Sequence, residues 1–212
     1  MQSAFMPFFE KRLLERQRIA SPEHLDGAEA TYIVNFLSDL FTNPRDYFIG
    51  LGRGDICDVL QYLFINPTNS ELLLALWNSS VDLRLREKCV LSTPTFFKEV
   101  FAKRCLEHSV RRSQTTDCLN VCCYMWWECF PTFFHLPDDE QSSLVASALT
   151  AMREILQIDH KSCQEAAIHG LGHWAEDSSH AITILDNFLS TPSIDPEMKE
   201  YAVSARTGKD FL

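Results

Sequence analysis

The sequence lacks any apolar run that could span a membrane. Residues 72–77 form one of its longer apolar runs, whereas a transmembrane helix needs roughly 20 predominantly apolar residues. The N-terminal segment MQSAFMPFFEKR has no basic residue before its apolar cluster and no small-residue cleavage site, so it does not match a secretory signal peptide. We therefore expect a soluble, cytoplasmic protein with no membrane partner.

Signals for β-structure and for common nucleotide or metal motifs are also absent. There is no Asn-Gly hairpin turn and no sustained alternation of β-branched residues, which argues against a sheet. Residues 50–54 (GLGRG) lack the Gly-Lys-Ser/Thr ending of a phosphate-binding loop. None of the eight cysteines forms a CxxC pair, the spacing that zinc sites normally use. The sequence therefore contains none of these motifs from which a catalysed reaction could be predicted.

Basic residues are scarce relative to acidic ones. The chain of 212 residues has 19 Lys and Arg against 29 Asp and Glu, which gives a net charge of −10. This balance repels nucleic acid and anionic membranes, so we do not expect a nucleic-acid partner. With 46% hydrophobic and 23% charged residues, the composition is that of a globular protein. In a reducing cytosol its cysteines are expected to be free thiols.

Helix-start signals, in contrast, recur along the chain. Proline stands where a first helical residue would be in SPE (21–23), NP (43–44), TP (93–94) and DPE (195–197). Proline is tolerated there because the N–H that it lacks would have no partner, and the preceding polar side chain can cap the free amides. Together with apolar spacing, these signals predict helices over residues 2–19, 28–41, 54–65, 69–80, 82–91, 94–111, 114–129, 139–157, 162–175, 178–190 and 196–206.

A repeat of 35 residues is visible in the last part of the chain. CQEAAIHG (163–170) aligns with MKEYAVSA (198–205), which places small or apolar residues at matched positions. A period in this range is typical of solenoids built from two-helix units. The positions assigned to the repeat are Glu165, Ala167, Gly170, Gly172, Glu200, Ala202 and Ala205.

The segment QEAAIHGLGHW (164–174) resembles the inner helix of HEAT-like repeats of the phycobilin-lyase-associated type, and the resemblance extends mainly over residues 140–206. It implies an all-α fold, a right-handed α-α superhelix of helical hairpins. We predict one all-helical domain over 1–212, with an N-terminal cap region over 1–65 and HEAT-like hairpins over 66–212. Proteins with this repeat range from lyases and DNA glycosylases to adaptors, so the resemblance implies no single function.

His169 and His173 lie four residues apart and share one face of a predicted helix, where two imidazoles can bind one metal ion. The glutamate of the HExxH motif is missing, because Gly170 stands in its place. A packing role is the simpler interpretation: glycine lets a neighbouring helix approach, and the histidines hydrogen-bond across the contact. The pair stays a candidate site for a metal ion or a small ligand.

Residues 118–134 concentrate cysteine and aromatic side chains. Cys118, Cys122 and Cys129 share a helical stripe, which we interpret as buried packing. The aromatic residues that follow cannot all face one core, because successive residues on a helix point in different directions. Either two helices enclose this segment or part of it is exposed to a partner. If a partner binds here, Trp126 and Trp127 are the candidate hot-spot residues.

Several functional hypotheses remain open. The leading one is a non-catalytic protein–protein interaction module, such as a small acidic regulatory or toxin-neutralising protein, with no cofactor and no metal. One alternative is an enzyme on a HEAT-like scaffold, such as an alkylpurine DNA glycosylase that uses Trp126, Trp127 and Asp117. Another is a protein that binds a metal or a small ligand through His169 and His173. The sequence predicts no catalytic residue for the leading hypothesis.

Overall fold

The computed structural model describes residues 26–65, 71–108, 110, 117–129, 136–175 and 178–207. Within these residues all regular elements are helical, which confirms the all-α prediction. No helix in this part of the chain is both long and apolar enough to cross a membrane. The helix predicted over 2–19 and the start signal at 21–23 lie outside the described residues.

The helices occupy nearly the predicted positions. They are α1 (Gly27–Thr42), α2 (Pro44–Phe48), α3 (Arg53–Leu60), α4 (Glu71–Leu74), α5 (Leu83–Leu91), α6 (Thr93–Phe96), α7 (Ala102–Arg104), α8 (Cys118–Tyr124), α9 (Trp126–Cys129), α10 (Asp138–Ile155), α11 (Lys161–Ala175), α12 (Ser179–Leu189) and α13 (Pro196–Thr207). A π-helical segment, Gln61–Ile65, follows α3, and another, Phe97–Phe101, follows α6. The helix predicted over 94–111 therefore has three parts and ends at Arg104, and the one over 114–129 is divided at Met125.

The local start signals explain where several helices begin. Pro44 is in the first turn of α2, Pro94 is in the first turn of α6, and Pro196 opens α13. Asp195 caps α13, because its Oδ1 accepts a hydrogen bond of 3.0 Å from the amide of Glu197. These three proline signals are confirmed, since each marks a helix N-terminus as predicted.

Neighbouring helices in the second half of the chain pack in a regular order. Helix α5 lies against α1 and α10, and α10 in turn contacts α11. Helix α8 lies against α3 and α11, whereas α11 makes its most extensive contact with α13. Helix α12 packs on both α11 and α13. Helix α11 is therefore enclosed by neighbours on several sides, which explains why most of its side chains are buried.

An aromatic cluster joins the first half of the chain to the second. Trp126 lies at its centre, stacked on Phe96 with ring centroids 5.2 Å apart. Phe41 of α1 and Phe64 contact the same indole, with centroid distances of 5.5 and 5.1 Å. Edge-to-face aromatic pairs add to the free energy of burial. The cluster therefore ties α1 to the helices that follow residue 90.

The repeat positions explain how closely α11 meets its neighbours. A Cβ atom on Gly170 would lie 2.7 Å from Cγ of Trp127 and 2.8 Å from Sδ of Met152, so only glycine fits there. The prediction that glycine lets a neighbouring helix approach is confirmed at this position. Among the repeat positions, the buried ones are Glu165, Ala167, Gly170, Gly172, Ala202 and Ala205, and Glu200 is exposed.

Candidate functional site

The two histidines of the HxxxH pair face each other on α11. The Nε2 atoms of His169 and His173 lie 3.2 Å apart, and the rings meet edge to face with centroids 4.6 Å apart. Residues four apart on a helix are neighbours on one face, so the sequence spacing is enough to bring them together. The structure therefore places both predicted residues in one site.

A carboxylate from another helix completes the group. Oε1 of Glu128, on the short helix α9, contacts Nε2 of His169 and lies 3.5 Å from Nε2 of His173. Helix α9 packs directly on α11, and the close approach at Gly170 brings the two helices into register. Glu128 therefore adds a third candidate ligand to the histidine pair, whereas the general base of the HExxH motif has no counterpart at Gly170.

Two tyrosines hold His169 in place. Nδ1 of His169 is hydrogen-bonded to the hydroxyl of Tyr201, on α13, at 2.8 Å. The ring of Tyr124 stacks on the imidazole with centroids 4.1 Å apart, and its hydroxyl lies 3.1 Å from that of Tyr201. Such partners fix the orientation of an imidazole, and they are typical of histidines that bind metals. Helices α8, α9, α11 and α13 all contribute to the site.

The position of the proton on His169 decides how the converging atoms interact. If the hydroxyl of Tyr201 donates to Nδ1, Nε2 carries the ring proton and donates it to Glu128, which is an ordinary hydrogen bond. If Nδ1 donates to Tyr201 instead, Nε2 presents a lone pair to the carboxylate, and a proton or a metal cation between the two groups stabilises the arrangement. The same geometry therefore serves either a hydrogen-bonded contact or a metal site.

Two of the three separations between the candidate ligand atoms suit a small divalent cation, and the third, between His169 and Glu128, is that of a hydrogen-bonded contact. Zinc bonds of about 2.0–2.1 Å to nitrogen and oxygen place tetrahedral ligand atoms about 3.3 Å apart. The observed separations of 3.2 Å between the two histidines and 3.5 Å from His173 to Glu128 lie close to that value. Two histidines and one glutamate also form a known ligand set of catalytic zinc.

The site opens to solvent on one side. The side chain of His169 is only 4% exposed, whereas those of His173 and Glu128 are 31% and 32% exposed. A cation held by all three would have a buried ligand behind it and two accessible ligands in front. Water or a further ligand could therefore reach a remaining coordination position.

Sequence reasoning found the two histidines but missed three of their partners. Glu128 and Tyr124 are four residues apart on neighbouring helical turns, which was the one available sign that they share a face. Tyr201 falls at the repeat position that matches Ala166, and nothing in the sequence connects it to His169. These contacts depend on how α9, α11 and α13 pack.

The two tryptophans are buried, whereas a hot-spot residue for a partner would have to lie at the surface. Trp126 and Trp127 are 3% and 4% exposed, so a partner cannot reach either indole in this fold. Trp127 instead packs on Gly170. For the same reason neither indole is available to stack on a damaged base, as the glycosylase alternative required, and Asp117 forms an ion pair of 2.8 Å with Arg53.

The prediction that every cysteine is a free thiol was wrong for one pair. Cys57 of α3 and Cys118 of α8 form a disulfide, whereas the six other cysteines are free. This bond could not be predicted from the sequence, because the two residues are 61 positions apart and meet only through the packing of α3 on α8. Of the stripe that was expected to be buried, Cys122 is 3% exposed, whereas Cys118 and Cys129 are only half-buried.

Neither family models, nor curated proteins, nor solved structures yield a match to this chain. The HEAT-like assignment therefore stays a prediction, and function has to be argued from the site itself.

Proposed function

We propose that this protein binds a divalent transition-metal ion, with Zn²⁺ as the best-fitting candidate, through Glu128, His169 and His173. The observation that carries the proposal is the convergence of one carboxylate and two imidazole atoms, with all three ligand atoms within 4.8 Å of one another. Imidazole and carboxylate together suit zinc and other first-row metals better than calcium or magnesium, which prefer oxygen ligands.

The arrangement of ligands favours an accessible metal rather than a closed structural one. Structural zinc sites usually have four protein ligands, whereas sites with three keep a position for water or substrate. A bound Zn²⁺ in such a site acidifies its water and polarises a ligand oxygen. Around it, Tyr201 would hold His169 in the tautomer whose Nε2 faces the metal. The protein therefore contributes two things to the site, namely the fixed orientation of the His169 ring and a solvent-accessible side at His173.

Metal titration of the purified full-length protein tests the proposal. The protein is freed of metal with a chelator and titrated with Zn²⁺ without reductant, so that the Cys57–Cys118 disulfide stays intact. We expect one tightly bound ion per chain by calorimetry and by elemental analysis. The His173→Ala variant should lower the affinity at least about tenfold, because one of three ligands is lost. Glu128→Gln should have a similar effect.

The matched control is His180→Ala, which removes an exposed histidine on α12. That variant should bind Zn²⁺ as the unmodified protein does. If His173→Ala and His180→Ala bind equally well, the three residues form only a hydrogen-bonded packing contact. In that case the His173 variant would change the free energy of unfolding without changing metal affinity, and the proposal would be wrong.

We propose further that the helices form a HEAT-like solenoid. The support comes from the contacts: α5, α10 and α12 follow one another on one side, while α3, α8, α11 and α13 do so on the other. Hairpin units stacked in two rows would give contacts between every second helix, as seen between α11 and α13. The 35-residue period relates those same two helices.

The interaction-module hypothesis stays a prediction. Large apolar side chains that are exposed in the described residues belong to separate elements, and they do not single out one face for a partner. They are Tyr32, Ile49, Leu91, Leu106 and Val203. The His–Glu site, in contrast, is a defined constellation, so metal binding is the function that the geometry favours.

A further inference from the structure

A second cluster of potential ligands lies between α3 and α8. The sulfur atoms of Cys57, Cys118 and Cys122 are all within 4.8 Å of one another. Cys57 and Cys118 form the disulfide, and Sγ of Cys122 lies 3.9 Å from Sγ of Cys57. Cys118 and Cys122 are four apart on α8, so they share the face that packs on α3.

The surroundings of the cluster are buried and carry one cationic group. Cys57 and Cys122 are 2% and 3% exposed. Arg53 stands one turn before Cys57 on α3, and its guanidinium pairs with Asp117, the N-cap of α8. Nε of Arg53 is buried and has no hydrogen-bond partner among the described residues. The guanidinium and the carboxylate of Asp117 offset each other's charge at the start of α8.

Thiol–disulfide exchange is the first chemistry that three neighbouring sulfurs suggest. It requires the Cys122 thiolate to attack the Cys57–Cys118 bond. Burial raises the pKa of the Cys122 thiol to about 12, with further contributions from Cys105, Cys129 and Asp117. The thiolate fraction near neutral pH is accordingly very small, which argues against rapid exchange.

Metal binding also requires loss of the thiol proton, but the cation takes the place of that proton and stabilises the thiolate that forms. Zinc–sulfur bonds of about 2.3 Å put tetrahedral sulfur ligands about 3.8 Å apart. The separation of 3.9 Å between Cys57 and Cys122 fits that spacing. The Cα atoms of Cys57 and Cys118 are 6.1 Å apart, and they can accommodate either a disulfide or two ligands of one ion.

We infer that reduction of the Cys57–Cys118 disulfide creates a second, thiolate-rich metal site formed by Cys57, Cys118 and Cys122. A dithiol reductant supplies two electrons and two protons, which convert the disulfide into two thiols while the reductant becomes a disulfide. Zn²⁺ then binds the three sulfurs, and three protons pass to the solvent. The resulting group has a charge of −1. The inference does not rest on the proposed His–Glu site.

The experiment compares metal binding by the oxidised and the reduced full-length protein. It is done in the His173→Ala background, so that the His–Glu site contributes little. The dithiol is removed before metal is added, and the buffer is kept free of oxygen. We expect the reduced protein to bind one more Zn²⁺ per chain than the oxidised protein. With Co²⁺ as the probe, sulfur-to-cobalt charge-transfer absorption should appear only after reduction.

Two variants distinguish this site from non-specific binding by thiols. Cys122→Ser should lower the affinity of the additional site at least about tenfold, whereas Cys89→Ser should leave it unchanged. Cys89 is a buried thiol on α5, a helix that has no extensive contact with α3 or α8. Equal loss in both variants would contradict the inference.

Two further outcomes would also contradict it. One is a reduced protein that stays folded and binds no additional metal, which would leave the three cysteines without a role as ligands. The other is loss of the helical circular-dichroism signal upon reduction, both with and without Zn²⁺. That result would make the Cys57–Cys118 bond a structural disulfide and nothing more.

Discussion

Helices α11 and α13 contain two copies of one sequence pattern, yet only α11 contains the ligands of the candidate site. The copies agree at some matched positions: Ala167 and Ala202 are both buried, as are Gly170 and Ala205. They differ at others. Glu165 and Ile168 of α11 are fully buried, whereas Glu200 and Val203 of α13 are exposed.

The difference shows that the repeated sequence pattern is enough to form a helix, whereas the neighbouring helices determine whether that helix contains a candidate site. Helix α11 is covered by α9 and α8 in addition to α12 and α13, so His169 meets Glu128 on one side and Tyr201 on the other. The matching residue of α13 is Ser204, which is half-buried.

The largest expected contrast between the copies is at the matched pair Ile168 and Val203. Ile168 is fully buried, so Ile168→Ala should lower the free energy of unfolding by about 2–5 kcal/mol through lost burial and a cavity. Val203 is 50% exposed, so Val203→Ala should change it by no more than about 0.5 kcal/mol. Urea denaturation of both variants gives the comparison. Similar losses in the two would show that the copies have equivalent environments.

A second, smaller contrast is expected at Glu165 and Glu200. Oε2 of Glu165 accepts a hydrogen bond of 2.7 Å from the amide of Val110, and the residue is fully buried. Glu165→Ala leaves that donor without this acceptor, which should lower the free energy of unfolding by about 1.5–3 kcal/mol. Glu200→Ala, on an exposed site, should cost about 0.5 kcal/mol or less. The same denaturation experiment measures both, and a cost for Glu200→Ala that equals the cost for Glu165→Ala would refute the contrast.

The same comparison explains what could be predicted from the sequence. Asp195 and Pro196 predict the start of α13, because a helix cap depends on only three or four consecutive residues. Glu128 joins His169 across 41 positions, and its position depends on the packing of α9 against Gly170. The Cys57–Cys118 bond has the same origin in the packing of α3 on α8. Local signals therefore predicted the helices well, while a site built from four helices needed the structure.

The smallest contrast concerns the ion pair that joins the starts of the two copies. Nζ of Lys161, the first residue of α11, lies 2.9 Å from Oδ2 of Asp195, which caps α13. The hydrogen bond from Lys161 holds the pKa of Asp195 below its usual value of 3.8. The stabilisation is therefore present above that value and is lost as the pH falls through the lower pKa of the folded protein.

At pH 7, Asp195→Ala should lower the free energy of unfolding by about 0.5–2 kcal/mol, since it removes both the cap and the ion pair. Asp195→Asn keeps a good capping side chain, so it should cost less, and its difference from the unmodified protein should disappear once the pH falls below the lowered pKa of Asp195. Thermal unfolding between pH 2.5 and pH 7, at low salt and in about 1 M salt, measures both effects. Salt should reduce the cost of Asp195→Asn while leaving most of the additional cost of Asp195→Ala, because screening weakens the charge pair but not the cap. A cost for Asp195→Asn that does not depend on pH or salt would show that Lys161 contributes nothing through its charge, and that α13 depends on its cap alone.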